Sequence, residues 1–102
     1  MSDSNKTILK CKSGPFYTLK DEDAFFEWIK KIECIEDVKG VGRELYFYIA
    51  CDDLHDRDLI DLIGLFYRYK KDMKQLARFL TPENKSWFYD KKAYWYKKIF
   101  GS

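Results

Sequence analysis

The apolar side chains in the first half of the chain follow patterns typical of β-strands. Residues 7–12 partly alternate apolar with polar side chains, as a half-buried strand does. Residues 44–50 are rich in strand-forming side chains and include an almost unbroken apolar run over 45–50. Residues 35–38 precede them across a turn that contains Gly40 and Gly42. This pattern predicts a β-hairpin whose second strand is central in a sheet. That strand would be covered on both faces, or on one face by helices and on the other by a partner.

Two longer segments have the periodicity of amphipathic helices. The first begins at Asp21, and its apolar residues share one face: Phe25, Trp28, Ile29 and Ile32. The second covers residues 58–71, with Asp56 or Asp58 as its cap and Gly64 as a position that permits a close crossing. Its apolar face consists of Leu59, Leu62, Ile63 and Phe66.

The last third of the chain predicts short helices and a dense group of rings. Asp72 and Gln75 have the spacing of a capping box, which would open a short helix with Met73, Leu76, Ala77 and Leu80 on its inner side. Pro82 after Thr81 is another helix-start signal, because proline is tolerated at the first helical position. The tail then concentrates its rings: Trp87, Phe88, Tyr89, Tyr94, Trp95, Tyr96 and Phe100.

The order of these elements predicts an α+β fold. Residues 16–19 are a second short extended candidate, so the order is strand, strand, helix, strand, strand, then helices. This order favours a small antiparallel sheet with a helix after the second strand and a C-terminal group of helices packed on it. We expect residues 1–102 to form a single domain, with the polar residues 1–6 as a potentially flexible end.

Composition limits the functions that the chain can have. The net charge of +2 is too small for obligatory binding to nucleic acid or a membrane. The odd number and wide spacing of Cys11, Cys34 and Cys51 favour reduced thiols in a cytoplasm over a disulfide framework. We find neither an apolar signal core nor an apolar run near the roughly 20 residues that span a bilayer. The sequence therefore predicts a cytoplasmic protein with no membrane partner.

The residues that could carry catalysis or hold a ligand have simpler explanations. Cys51 and His55 could be a nucleophile and its base, but a separation of four residues is not specific to such a pair. The aspartates between them and beyond do not match a calcium loop, and helix-dipole stabilisation accounts for several of them. The segment from Gly40 to Gly42 lacks the remaining residues of a phosphate-binding loop. We therefore expect no enzyme activity, metal, cofactor or small-molecule ligand.

Protein binding is the function that the remaining features favour. Tyrosine is frequent in interface hot spots, and five tyrosines are candidates for rings beyond those the core needs: Tyr46, Tyr48, Tyr67, Tyr69 and Tyr89. A solvated, capped loop is the favoured explanation of a five-aspartate segment, but the segment would also complement a cationic partner: Asp52, Asp53, Asp56, Asp58 and Asp61. The alternative is a small nucleic-acid-binding regulator that uses the lysines and rings of the tail, which the near-balance of charge makes less favoured.

The second half of the chain resembles the small immunity proteins of bacterial contact-dependent growth inhibition, the CdiI type. The resemblance rests on Leu65-Phe-Tyr-Arg68-Tyr69, Asp72-Met73 with Gln75-Leu76, Asn84 with Trp87-Phe88, and Tyr94-Trp95-Tyr-Lys97 with Phe100-Gly101. It departs from that pattern at Tyr96, where a histidine would be expected.

The resemblance implies a cytoplasmic antidote that binds the C-terminal toxin domain of a CdiA-type protein and blocks its active site or its substrate access. Many such toxins are nucleases, whose basic clefts an acidic surface would complement, although the net charge of +2 departs from that expectation. It further implies that Trp87, Phe88, Trp95 and Phe100 are mainly core. The first half of the chain and the acidic segment would then provide the partner surface.

Overall fold

The computed structural model describes residues 6–14, 16, 18–50 and 54–101. Asp52, Asp53 and Cys51 lie outside the described residues, and so do residues 1–5 of the polar N-terminal end.

Three strands form one antiparallel sheet in the described part of the chain. They are β1 (Lys6–Lys12), β2 (Ile35–Val41) and β3 (Glu44–Ala50). The strand order is β1-β3-β2, so β3 is central, as its apolar run predicts. A two-residue turn joins β2 to β3, and its first residue is Gly42, whose φ of 63° is the left-handed conformation that glycine adopts without strain.

Helices cover one face of this sheet, which confirms the predicted α+β class. Helix α1 (Leu19–Lys30) follows β1, and α2 (Asp56–Arg68) follows the hairpin. The C-terminal part adds a 3₁₀ helix (Lys74–Phe79) and two single-turn helices, α3 (Lys85–Phe88) and α4 (Tyr96–Ile99).

The core lies between the sheet and the two longer helices. The inward side chains of β3 are buried, and Phe47 contacts Phe25 of α1 and Phe66 of α2, with ring centroids 6.4 and 5.8 Å away. The predicted close crossing is confirmed, because a Cβ placed on Gly64 would lie 3.3 Å from Cζ2 of Trp28. This packing fixes one face of β3 against the helices.

Several local expectations were wrong, each for an identifiable reason. The described residues of the predicted strand over 16–19, namely 16, 18 and 19, are not in a strand, since Leu19 begins α1 and the Phe16 ring packs on Phe25 with a centroid distance of 5.4 Å. The α1 cap is Thr18, whose hydroxyl accepts the Asp21 N–H at 3.1 Å, and not Asp21 itself.

The cap of α2 and the helix after it also differ from expectation. His55 is the N-cap of α2, and Asp58 accepts the His55 N–H at 3.2 Å. The short helix predicted after Asp72 is present as a 3₁₀ helix, but Gln75 does not complete a capping box, since its side chain bonds to Lys10 of strand β1 and to the Asp72 carbonyl. Pro82 does not start a helix, since residues 81–84 form a turn in which Thr81 and Asn84 bond to each other.

Candidate binding surface on the sheet

The side of the sheet that faces away from the helices has no cover in the described structure. From the residues that strand alternation and the pairing register put on this side, we select nine and call them the open face. Its members are Ile8, Lys10 and Lys12 of β1, Glu44, Tyr46 and Tyr48 of β3, and Asp37, Lys39 and Val41 of β2.

The two tyrosines occupy the middle of the open face. Tyr48 lies between Ile8 and Asp37, while Tyr46 lies between Lys10 and Lys39, as the register shows. Both tyrosines are half-buried by these neighbours. The Tyr46 hydroxyl donates to Glu44 Oε1 at 3.2 Å, and Lys39 Nζ lies 5.5 Å from the centroid of the Tyr48 ring. The rings are therefore held in position while their outer surfaces stay accessible.

Apolar surface flanks the tyrosines at both edge strands. Ile8 is 48% exposed and Val41 is 62% exposed. An isolated exposed apolar side chain is ordinary, but here two such side chains and two rings share one sheet face. The open face thus combines ring surface, aliphatic surface and charges of both signs.

Side chains from the C-terminal half close the outer edge of β1. Gln75 acts as a short replacement for a neighbouring strand: its Oε1 accepts the Lys10 N–H at 3.0 Å, and its Nε2 donates to the Lys10 carbonyl at 2.7 Å. Arg78 donates to the Ile8 carbonyl at 3.4 Å, and Lys71 donates to the Lys12 carbonyl at 2.8 Å. The edge of β1 is thereby unavailable to another strand.

Lys71 is buried beside the end of β1 without a carboxylate partner in the described structure. Its ammonium lies 5.6 and 5.4 Å from the ring centroids of Phe16 and Phe25, which compensates in part for lost water. A cleft of about 810 Å³ opens here, lined among others by Lys10, Lys12, Arg68, Lys70 and Lys71. The same wall holds Asp21, Glu44 and Asp72, so the cleft is only moderately cationic.

Cys11 lies at the base of this cleft and is 7% exposed. Burial raises the pKa of its thiol, and this effect outweighs the lowering by the nearby Lys71 ammonium. The thiol is therefore a packed, protonated core group, with little of the thiolate that a nucleophile needs.

The acidic segment is only partly described, and its described members do not form one surface. Asp56 is exposed in the first turn of α2, and Asp61 is half-buried one turn later. Asp58 is 6% exposed and engaged with the His55 N–H, so little of its carboxylate is available to a partner. The contribution of Asp52 and Asp53 to a partner surface remains a prediction.

Within the described part of the chain, the residues considered for catalysis or metal binding are not arranged as such a site. His55 is exposed at the start of α2, and Cys51 lies outside the described part of the chain. Among residues 6–14, 16, 18–50 and 54–101, three or more His, Cys, Asp or Glu side chains do not come together as metal ligands would. Within the same ranges, every helix is too short or too polar to cross a membrane.

The rings of the tail are packed mainly against one another and against the core. Phe88 is fully buried and contacts Phe100 with a centroid distance of 5.0 Å, while the Trp95 indole donates to the Phe88 carbonyl at 2.8 Å. Trp87 stacks edge-on against Trp95 at 6.1 Å. The expectation that these rings are mainly core is confirmed for Phe88, whereas Trp87, Trp95 and Phe100 are partly buried and pack against the core. The most exposed ring of the tail is Tyr94, at 54%.

Tyr46 and Tyr48 are two of the five surplus rings predicted from the sequence, but the residues that define the surface around them were not predicted. Ile8, Lys10 and Lys39 become part of the open face only through strand register, which links residues far apart in the chain. A pattern search within β1 could have placed Ile8, Lys10 and Lys12 on one face, because they alternate with the buried Leu9 and Cys11. The role of Gln75 has no signal in the sequence.

Comparisons with protein-family models, with curated proteins and with solved structures give no match to this chain.

Proposed function

We propose that this chain is a cytoplasmic immunity protein of the CdiI type, which neutralises a delivered toxin domain by binding it through the open face of the sheet. The observation that carries the proposal is the uncovered Tyr46–Tyr48 surface at the centre of the sheet, flanked by the exposed Ile8 and Val41. The tail resemblance to such antidotes supplies the class of partner.

The physical character of the open face suits a protein partner. Tyrosine contributes a large contact area and a polar end while losing little side-chain freedom, which makes it frequent in hot spots. Both tyrosines lie on the central strand β3, which is hydrogen-bonded to β1 on one side and to β2 on the other, and so they belong to a rigid part of the molecule. A rigid surface binds without a large ordering cost.

The charges of the open face favour a protein over a polyanion. Lys10, Lys12 and Lys39 contribute positive charge, whereas Asp37 and Glu44 contribute negative charge on the same surface. Glu44 accepts the Tyr46 hydroxyl, so a carboxylate lies beside the ring itself. A nucleic-acid backbone would be repelled by these acids, while a protein surface can complement both signs.

Neutralisation in this proposal needs no chemistry from the chain itself. When a toxin domain binds to this face, the part of the toxin surface that lies in the contact becomes inaccessible to other molecules. The toxin's substrate is then excluded sterically. The exposed Asp56 would add long-range attraction if the toxin is a nuclease with a basic cleft.

The test is co-expression with the C-terminal toxin domain encoded by the neighbouring upstream gene, measured as growth rescue and co-purification. Tyr48→Ala should weaken the complex about thirtyfold or more if Tyr48 is a hot spot. The matched control is Tyr94→Ala, which removes an exposed ring from the tail and should leave affinity unchanged. Absence of both rescue and complex with the wild-type chain would reject the proposal.

A second candidate function is binding of single-stranded nucleic acid on the same face. The observation in its favour is the Lys39 ammonium over the Tyr48 ring, with Lys10 and Lys12 on the adjacent strand. A fluorescent oligothymidylate provides the probe. Binding that weakens steeply with salt and is lost in Tyr48→Ala would support this candidate over the toxin partner. No binding at low salt would eliminate it.

A further inference from the structure

The two edges of the sheet are treated differently by the fold. Along β1, side chains from the C-terminal half bond to the carbonyls of Ile8, Lys10 and Lys12 and to the Lys10 N–H. Along β2, the described structure places one side chain on the outward groups of Val38 and Gly40, namely the Asp37 carboxylate, which accepts the Val38 N–H at 2.9 Å. The β2 edge is therefore the accessible edge of this sheet.

The hairpin turn determines which backbone groups of β2 point outward. Because the turn has two residues, Val41 and Glu44 close the hairpin as a hydrogen-bonded pair. Alternation then directs the N–H and C=O of Val41, Lys39 and Asp37 toward β3, and those of Val38 and Gly40 away from it. The Asp37 bond to the Val38 N–H agrees with this, since that group is free of β3.

The charge pattern of β2 is complementary to itself when the strand is reversed. In an antiparallel pair of two β2 strands centred on Val38, Asp37 of one copy lies opposite Lys39 of the other, and the arrangement repeats by two-fold symmetry. Val38 and its symmetry mate would exchange both backbone hydrogen bonds. Asp37 and Lys39 would then form a non-hydrogen-bonded pair, the position at which facing side chains come closest.

We propose that β2 is a self-association edge that pairs antiparallel with β2 of a second copy of this chain, in the register that puts Asp37 opposite Lys39. In the monomer the Asp37 carboxylate covers the Val38 N–H. In the pair that N–H bonds to the partner's carbonyl, and the carboxylate turns to the Lys39 ammonium across the interface. The result is one six-stranded sheet with the two open faces side by side.

The occupant of this edge is a second copy because the edge complements itself. A strand of uniform charge would repel its own copy, whereas an Asp and a Lys at equal distances on the two sides of Val38 attract it. The contact is short, so it forms a weak dimer whose population depends on concentration. It would present four central tyrosines on one continuous surface, which offers a multivalent partner two identical sites.

Sedimentation velocity and an NMR dilution series on the full chain test the proposal through exchanged charges. Asp37→Lys and Lys39→Asp should each weaken self-association about tenfold, because both ion pairs of the symmetric interface become like-charge pairs. An equimolar mixture of the two variants should recover it as a heterodimer, since every facing pair is again opposite in charge. The double variant D37K/K39D should recover it as a homodimer.

The control is Lys20→Asp, which makes the same charge change as Lys39→Asp in the exposed first turn of α1 and should leave self-association unaltered. Far-ultraviolet circular dichroism checks that each variant is folded. Misfolding cannot explain a recovery of association in the mixture, because two misfolded variants would not associate with each other any better than each associates with itself. A wild-type chain that stays monomeric up to about millimolar concentration would overturn the proposal. So would a dimer that neither charge change weakens, or variants that fail to recover when mixed.

Discussion

The Gln75 side chain allows a direct measurement of how much the closed edge of β1 contributes to stability. Gln75→Ala removes three hydrogen bonds: Lys10 N–H to Oε1 at 3.0 Å, and Nε2 to the carbonyls of Lys10 and Asp72 at 2.7 and 2.9 Å. Helix propensity changes little between these two residues and does not affect the comparison. The decrease in the free energy of unfolding therefore measures mainly the contact between the 3₁₀ helix and the sheet.

The expected magnitude follows from the number and the exposure of these bonds. A net hydrogen bond is worth about 0.5–1.5 kcal/mol, and water can replace part of it because Gln75 is half-buried. We expect the free energy of unfolding to fall by about 1.5–3 kcal/mol, equal to a decrease in Tm of roughly 6–24 °C for a chain of this size. Arg78→Ala removes only the 3.4 Å contact to the Ile8 carbonyl and should cost less than about 0.5 kcal/mol.

Urea denaturation followed by tryptophan fluorescence measures both variants, and Gln75→Glu refines the result. That change keeps the acceptor for the Lys10 N–H but puts a carboxylate against two carbonyl oxygens, so at neutral pH it should destabilise at least as much as alanine. Below the ordinary glutamate pKa of about 4.3, the protonated carboxyl can donate again, and its deficit relative to the wild type should narrow.

The reasoning would be refuted by a cost for Gln75→Ala no larger than that for Arg78→Ala. It would also be refuted if the deficit of Gln75→Glu stayed constant through the acid range, since the donor at Nε2 would then contribute nothing.

Three further predictions concern backbone strain, helix packing and pH. Lys70 has a φ of 57° after α2, so Lys70→Gly should raise the unfolding free energy by about 1 kcal/mol in urea denaturation, whereas Lys70→Ala should give no gain. Gly64→Val should cost about 1–3 kcal/mol because the Trp28 ring lies 3.3 Å from a Cβ at that position, and an unchanged urea midpoint would contradict the close crossing. Burial raises the pKa of Cys11 above 9.0, so the unfolded chain loses this proton first and stability falls as pH rises beyond that value. Cys11→Val should reduce that alkaline fall in thermal unfolding scans, and an identical fall in both proteins would refute it.

The sequence predicted the parts of the fold that depend on local periodicity. The bounds of β3 agree with the strand predicted over residues 44–50, and α1 and α2 bury the faces that the spacing of Phe25 and Leu59 indicated. These elements follow from patterns within one segment. Capping was less predictable, because Thr18 and His55 compete with neighbouring aspartates that carry similar signals.

The candidate surface was predictable only in part, since it depends on contacts between distant segments. Tyr46 and Tyr48 alternate with buried residues, so their shared face could be inferred from β3 alone. The sequence does not determine whether that face is covered, because its pattern is compatible with packing of the C-terminal helices on either side of the sheet. The aspartate segment looked like one surface in sequence, yet Asp58 is buried and used locally.

The side chains that close the edge of β1 have a consequence for the order of folding. Lys10 and Gln75 are separated by 65 positions, Ile8 and Arg78 by 70, and Lys12 and Lys71 by 59. Contacts of such long separation form late, because a large loop must close first. During synthesis, the outer edge of β1 would therefore stay without these bonds until about three quarters of the 102 residues have been made. Chains interrupted before Lys71 should accordingly be the aggregation-prone species of this protein.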